Sequence, residues 1–146
     1  MPSLLKLLTD NKRAGVYQTA IDADEIVAGA KTVGLDVFKI DLAGAHGKTD
    51  LLDRFAKVLR FPTHFGKNWD ALNDCLTDLD WLSGQGLVLI VTGAKDFAKA
   101  HEEAFQTVFD VLDGAAAYWR ERKKPFWVMI QSHAALTVEI PKIVSD

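Results

Sequence analysis

The continuous apolar run at residues 87–92, LVLIVT, constrains the fold of this chain more than any other stretch. It lacks the alternation of a half-exposed strand, and an unbroken apolar strand is typical of a sheet covered on both faces. Residues 126–131 (FWVMIQ) and the alternating residues 35–42 (LDVFKIDL) predict two further strands. Helical patterns separate these strands, which favours right-handed crossovers in a parallel sheet. We therefore predict an α/β fold: a small parallel sheet of three to four strands, with residues 87–92 in its middle and helices packed around it.

The first 35 residues predict an extra strand and helix ahead of this sheet. Residues 16–20 are a short β-type run, and a helix capped by Asp22 or Asp24 follows and stops at Gly34. Residues 136–144 are either a further edge strand or a tail, because Pro141 favours an edge or an irregular segment. No linker or repeat separates these parts, so a chain of 146 residues with 49% hydrophobic composition indicates one domain.

Two longer helices are predicted on either side of the apolar run. The first has an apolar face within residues 51–59, is capped by Thr49 or Asp50, and ends at Phe61-Pro62. The second starts after a turn at residues 93–96 and runs to about Lys123. Its Gly114 is a weak point at which this long helix can divide.

Residues 61–81, FPTHFGKNWDALNDCLTDLDW, form the most unusual stretch. Asn68 is placed as the N-cap of a helix that begins near Trp69, after a loop at residues 62–66. Four apolar residues at helical spacing predict a stripe that faces the core, namely Leu72, Cys75, Leu76 and Leu79. The other side carries Asp70, Asp74 and Asp78, and each adjacent pair of these carboxylates destabilises the helix by roughly 0.2–0.5 kcal/mol.

Three interpretations of this stretch compete. The acidic row is an ordinary solvated face, in which Asp70 suits the positive end of the helix dipole. Alternatively, it is a preorganised negative ridge that docks into a cationic cleft, such as one lined with cations for phosphate. The third is a small hydrolase that uses His64 as a base with Asp70 or Asp74, or a cation held between the two aspartates. The chain offers no activated nucleophile, which disfavours the hydrolase.

The overall charge and the cysteine count narrow the classes of partner. A formal net charge of -3 and a pI near 5.8 argue against nucleic acid as a direct partner, because such proteins usually carry a basic stripe. The single cysteine, Cys75, allows no internal disulfide and no cysteine pair for zinc, and we predict no cofactor and no metal site. No apolar run approaches the ~20 residues that span a bilayer, so we expect no membrane contact and a cytoplasmic location.

Residues 64–77, HFGKNWDALNDCLT, resemble the signature of the barstar family, intracellular protein inhibitors of barnase-type ribonucleases. In that family the pattern is an aromatic pair, Gly, a polar residue, Asn, an apolar residue, Asp-Ala-Leu, a variable position, Asp, a small residue, Leu and Thr. The predicted elements from about Val37 to Gln131 also follow the family's order. The resemblance implies a barstar-like domain over residues 1–146, with an N-terminal extension unit (1–35), a barstar-like core (36–131) and a tail or edge strand (132–146).

The resemblance also implies a function and a binding site. The loop and helix would cover the active site of a ribonuclease, with Asp74 as the central anchor at a phosphate position and Asp70 as a second anchor. His64 takes the place of a family aromatic, Gly66 permits close backbone approach, and Asn68 and Thr77 orient or line the contact. The implied partner-binding residues are His64, Phe65, Gly66, Asn68, Trp69, Asp70, Asn73, Asp74, Thr77 and Asp78.

The implied partner is a basic ribonuclease of the extracellular or toxin type, bound by a chain that is not an enzyme and is monomeric when free. A barstar-like adaptor that binds another basic protein is the alternative. Asn73 and Leu79 stand where the family's best-known member has tryptophans. A further acidic residue on the family's long helix has no unambiguous equivalent here, because Asp110 and Asp113 are both near its position. These departures leave the identity of the ribonuclease open.

Overall fold

The computed structural model of the protein describes residues 4–62, 66–78, 85–134, 136 and 140–143. In that part of the chain, five parallel strands form one sheet in the order β2-β3-β4-β1-β5. Their bounds are β1 (Val16–Thr19), β2 (Asp36–Asp41), β3 (Leu87–Thr92), β4 (Phe126–Gln131) and β5 (Lys142–Ile143). The α/β fold with a parallel sheet is confirmed, and the sheet has one strand more than the three to four predicted.

The apolar run, β3, lies next to the centre of the sheet, so its predicted central position is wrong. β4 is the central strand because β3 pairs with one of its edges and β1 with the other, and β5 extends the sheet beyond β1. Of the two alternatives predicted for residues 136–144, an edge strand or a tail, the structure shows an edge strand at Lys142–Ile143. Two hydrogen bonds hold this edge: Gln18 N donates to Pro141 O at 2.8 Å, and the Thr19 hydroxyl donates to Ile143 O at 2.7 Å.

Six α-helices and a 3-10 turn (Asn11–Arg13) lie within the described residues. The helices are α1 (Leu4–Leu8), α2 (Ala23–Thr32), α3 (Gly47–Leu59), α4 (Trp69–Leu76), α5 (Ala94–Ala100) and α6 (Glu102–Glu121). Asp22 caps α2 by accepting a hydrogen bond from Asp24 N at 3.0 Å, which agrees with one of the two predicted caps. None of these described helices has the length and apolarity that a bilayer crossing requires.

The predicted start of α3 and the predicted break of the long helix are both wrong. The N-cap of α3 is His46, and Asp50 acts from inside the first turn by accepting a hydrogen bond from His46 N at 2.9 Å. Asp50 therefore satisfies the backbone N–H of the N-cap residue from within the first turn and is not itself the cap. The long helix breaks at His101, whose φ of -134° and ψ of 62° are not helical, and continues unbroken through Gly114. Alanines follow Gly114 in the sequence AAA, and their high helix propensity offsets the cost of the glycine.

The helices cover both faces of the sheet. Leu89 and Val128 point to a core built with α3, α4, α5 and α6, whereas their neighbours Ile90 and Met129 point to a second core built with α1 and α2. All four of these strand residues are fully buried. Two-sided burial explains why β3 has no polar alternation. The residues ahead of β2 therefore cover the sheet face that lies opposite α4.

Candidate binding site on helix α4

Helix α4 begins at Trp69, as predicted, and Asn68 fixes its start. The Asn68 backbone is extended, and its side-chain oxygen accepts a hydrogen bond from Ala71 N at 2.7 Å. The amide nitrogen of the same side chain donates to Gly66 O at 3.3 Å. A Cβ added at Gly66 would lie 3.1 Å from that nitrogen, so glycine leaves room for this turn. Asn68 thus fixes the start of α4, and through it the orientation of the residues that follow.

The buried side of α4 attaches the helix to the core. Leu72 and Leu76 are fully buried, as predicted, and Cys75 is partly buried beside them. At the end of the helix, the indole Nε1 of Trp119 on α6 donates to Leu76 O at 2.9 Å in a buried hydrogen bond. A helix end leaves carbonyl groups without intrahelical partners, and this bond satisfies one of them. Leu79, the fourth member of the predicted stripe, lies outside the described residues.

The opposite side of α4 is polar and exposed. Asp70, Asn73 and Asp74 are exposed on the helix, and Asp78 is exposed just beyond its end. The prediction that all three aspartates lie on the helix is therefore wrong. The helix ends at Leu76, and its C-cap residue Thr77 donates its hydroxyl to Asn73 O at 2.9 Å and Asp74 O at 3.3 Å. We call Asp70, Asn73, Asp74 and Asp78 together the acidic face.

The carboxylates of the acidic face have no internal counter-charge within the described residues. Neither Asp70, Asp74 nor Asp78 forms an ion pair with a described Lys, Arg or His, although three ion pairs occur elsewhere. The pKa of the Cys75 thiol reflects this environment. Partial burial, and then the charges of Asp74 and Asp78, raise the pKa of the Cys75 thiol above its ordinary value. The acidic face is thus a surface of unneutralised negative charge on a rigid support.

Two lysines border the first turn of α4, and neither is among the site residues predicted from the sequence. Lys48 at the start of α3 places its Nζ 5.6 Å from the ring centroid of Trp69, a cation-π contact. Trp69 is partly buried against the core by the same packing. Lys67, whose φ of 49° is left-handed, directs its Nζ to within 3.2 Å of Asp53 Oδ1 on α3. No local sequence pattern signals these two contacts, because each joins residues that are far apart in the chain.

The structure brings together eight of the ten predicted site residues around α4. His64 and Phe65 lie outside the described residues. Asp110 and Asp113 are exposed on α6, where the carboxylate of Asp110 accepts a hydrogen bond from Gln106 at 3.0 Å, and the choice between these two aspartates stays a prediction. In the described part of the chain, no group of three His, Cys, Asp or Glu side chains is arranged to hold a metal ion.

Comparison with known protein families gives one match. The family model described as Barstar (barnase inhibitor) matches residues 35–131, two thirds of the chain. The match includes β2, β3, β4 and the whole of α4, and it begins after the N-terminal unit that contains α1, β1 and α2. None of the curated proteins matches this chain.

Proposed function

The chain belongs to the barstar family, and from this premise we propose that it is a protein inhibitor of a barnase-type ribonuclease. The observation that carries the proposal is the acidic face of α4, which lies inside the matched residues and has no described counter-charge. In the proposed complex, α4 enters the cationic active-site cleft. Asp74 is the central anchor at a phosphate position, and Asp70 is the second anchor.

The chemistry of the cleft supports this assignment. A ribonuclease binds the phosphate groups of RNA with Arg, Lys and His side chains, and a carboxylate offers the same charge and the same acceptor oxygens. Asp70 and Asp74 are one helical turn apart, so both carboxylates project from one side of α4. Thr77, Asn73 and Trp69 border these carboxylates and would line the contact. The inhibitor then excludes RNA by occupying the positions of its phosphates.

The contacts that hold α4 against the core reduce the conformational entropy lost on binding. The Asn68 cap, the buried Leu72 and Leu76, and the hydrogen bond from Trp119 hold the helix in one conformation before the partner arrives. Binding by a preorganised surface loses less conformational entropy than binding by a segment that must order. The mutual repulsion of the aspartates is then relieved by the partner's cations. This proposal includes an immunity role in the cytoplasm, where an inhibitor of this kind protects cellular RNA.

The experiment that tests the proposal is calorimetric titration of a barnase-type ribonuclease with the protein, together with an RNA-cleavage assay. We expect tight binding that weakens with added salt, and loss of cleavage at one equivalent. Asp74→Ala should weaken binding by at least about 2 kcal/mol, since truncation leaves desolvated partner cations unpaired. Asp24→Ala is the matched control: Asp24 is an exposed aspartate on α2, which packs against the opposite face of the sheet. Absence of both binding and inhibition for the wild-type protein would contradict the proposal.

A barstar-like adaptor that binds another basic protein is the second candidate. Asn73 favours it, because a polar exposed residue stands between the two aspartates where the family's best-known member has an apolar contact. The adaptor and the inhibitor differ in one observable. An adaptor bound through the acidic face leaves ribonuclease cleavage of RNA unaffected, whereas an inhibitor abolishes it in proportion to the complex formed.

A further inference from the structure

A cluster of aromatic and cationic side chains lies at and just beyond the end of α6, and one of its members contacts the end of α4. It consists of Tyr118, Trp119, Arg122 and Lys124, and we call it the aromatic-cation cluster. Trp119 connects the cluster to α4 through its hydrogen bond to Leu76 O at 2.9 Å. That carbonyl lies between Asp74 and Asp78 in sequence, so Trp119 joins the segment that carries Arg122 and Lys124 to the last turn of α4.

The cations of this cluster are held in place by aromatic rings. The Tyr118 ring packs edge-on against Trp119, with ring centroids 5.1 Å apart and an interplanar angle of 88°. The guanidinium carbon of Arg122 lies 3.5 Å from the Tyr118 centroid, and its Nη1 also donates to Tyr118 O at 2.9 Å. Lys124 places its Nζ 5.7 Å from the Trp119 ring centroid. Stacking on aromatic faces is a preferred geometry of arginine, so its position is restricted although the residue is exposed.

These cations also lack a counter-charge among the described residues, where neither Arg122 nor Lys124 forms an ion pair with a carboxylate. A guanidinium has five N–H donors, and the bond to Tyr118 O uses one nitrogen. The chain thus carries exposed negative charge on α4 and cations without a described counter-charge on the segment that Trp119 joins to the end of α4. A partner that is cationic over its whole contact would meet attraction at Asp74 and repulsion at Arg122.

We infer that the ribonuclease partner places an acidic side chain against Arg122, at the rim of the cationic cleft that receives Asp70 and Asp74. This inference rests on the proposed function and adds the partner's charge pattern to it. Complementary charge at the rim raises specificity, because ribonucleases with a cation at that position are repelled. The aromatic-cation cluster then selects among ribonucleases that the acidic face alone would bind.

Charge reversal at Arg122 tests the inference through the sign of its effect. Calorimetric titration of a barnase-type ribonuclease compares the wild-type protein with Arg122→Glu, Arg122→Lys and Lys31→Glu. Lys31 is an exposed lysine on α2, on the far side of the sheet, so Lys31→Glu makes the same charge change away from α4. We expect Arg122→Glu to weaken binding about tenfold or more, Arg122→Lys to stay within about fivefold of wild type, and Lys31→Glu to bind like wild type.

Each alternative result has a definite meaning. Tighter binding of Arg122→Glu would show that the partner is cationic at this position, and the inference would be wrong. Unchanged binding of Arg122→Glu would place Arg122 outside the interface and would overturn the inference while the proposed function stands. Equal weakening by Lys31→Glu would show a non-local charge effect and would also overturn it. Absence of wild-type binding would overturn the proposed function, and this inference with it.

Discussion

Two buried tryptophans give a direct test of how α4 is held. Trp119 on α6 and Trp127 on β4 are 9% and 0% exposed, respectively, so both contribute large buried surfaces. They differ in their hydrogen bonding. The Nε1 of Trp119 donates to Leu76 O at the end of α4, whereas the Nε1 of Trp127 has no partner among the described residues. The same substitution, Trp→Phe, therefore removes a bond at one position and an unsatisfied donor at the other.

The expected magnitudes follow from this difference. Trp119→Phe leaves the buried Leu76 carbonyl without its donor, at a cost of about 1–3 kcal/mol in the free energy of unfolding. The smaller phenyl ring loses packing at both positions, which adds roughly 1–2 kcal/mol to each variant. At Trp127 this packing loss is offset by removal of a desolvated N–H that has no acceptor. We expect Trp119→Phe to be the more destabilising variant by at least about 1 kcal/mol.

Urea unfolding followed by far-UV circular dichroism measures both variants against the wild-type protein. The free energies can be compared if the m-values agree, since m reports the surface exposed on unfolding. Far-UV detection does not depend on the fluorescence of the tryptophan being replaced. Equal destabilisation of the two variants, or greater destabilisation by Trp127→Phe, would refute the assignment of the Trp119 hydrogen bond as the anchor of α4.

Two further predictions concern the thiol beside the acidic face and the N-terminal unit. Because partial burial and the charges of Asp74 and Asp78 raise the pKa of the Cys75 thiol, its alkylation by iodoacetamide should be slow at neutral pH and rise with pH later than that of an exposed thiol. Asp74→Ala should shift this pH profile to lower pH, and an unshifted profile would argue against close approach of the carboxylate. Deletion of residues 1–34 should uncover Ile90, Trp127 and Met129, each contributing about 1.5–3 kcal/mol by burial, and the product should bind a hydrophobic dye and lose cooperative unfolding. Cooperative unfolding of that product at wild-type urea concentrations would contradict this role of the N-terminal unit.

The local features of α4 were predictable from sequence because they depend on neighbouring residues. A side chain such as Asn68 caps the helix that starts at the next residue, and the spacing of Leu72 and Leu76 places both on one side of any helix. The same reasoning from neighbouring residues placed the end of the helix wrongly, beyond Asp78. The helix ends at Leu76 with Thr77 as its C-cap, so Asp78 lies beyond it, and the periodicity of apolar residues does not show where a helix ends.

The features that depend on distant residues were not predictable. His101 breaks the long helix where its ring packs against Phe97, at a centroid distance of 5.0 Å, and beside the start of α3 at Gly47. Gly114 alone predicted the break, but the three alanines after it restore the helix propensity of that segment. β4 is central because β1 pairs with the edge of β4 that faces away from β3. The apolar pattern of a strand does not indicate which strands will pair with its edges. The aromatic-cation cluster was missed because a tryptophan at position 119 predicts burial but not its bond to position 76.

The N-terminal unit contacts the end of α6 next to the aromatic-cation cluster through two hydrogen bonds. Arg120 Nη1 on α6 donates to Ala14 O at 2.7 Å, and the amide nitrogen of Asn11 donates to Arg120 O at 3.3 Å. These two bonds join the 3-10 turn to the last turn of α6, two residues before Arg122. We therefore propose that residues 1–146 act as one domain in which the N-terminal unit fixes the end of α6. In this arrangement its influence on partner binding passes through the position of Arg122, since α2 lies on the sheet face opposite α4.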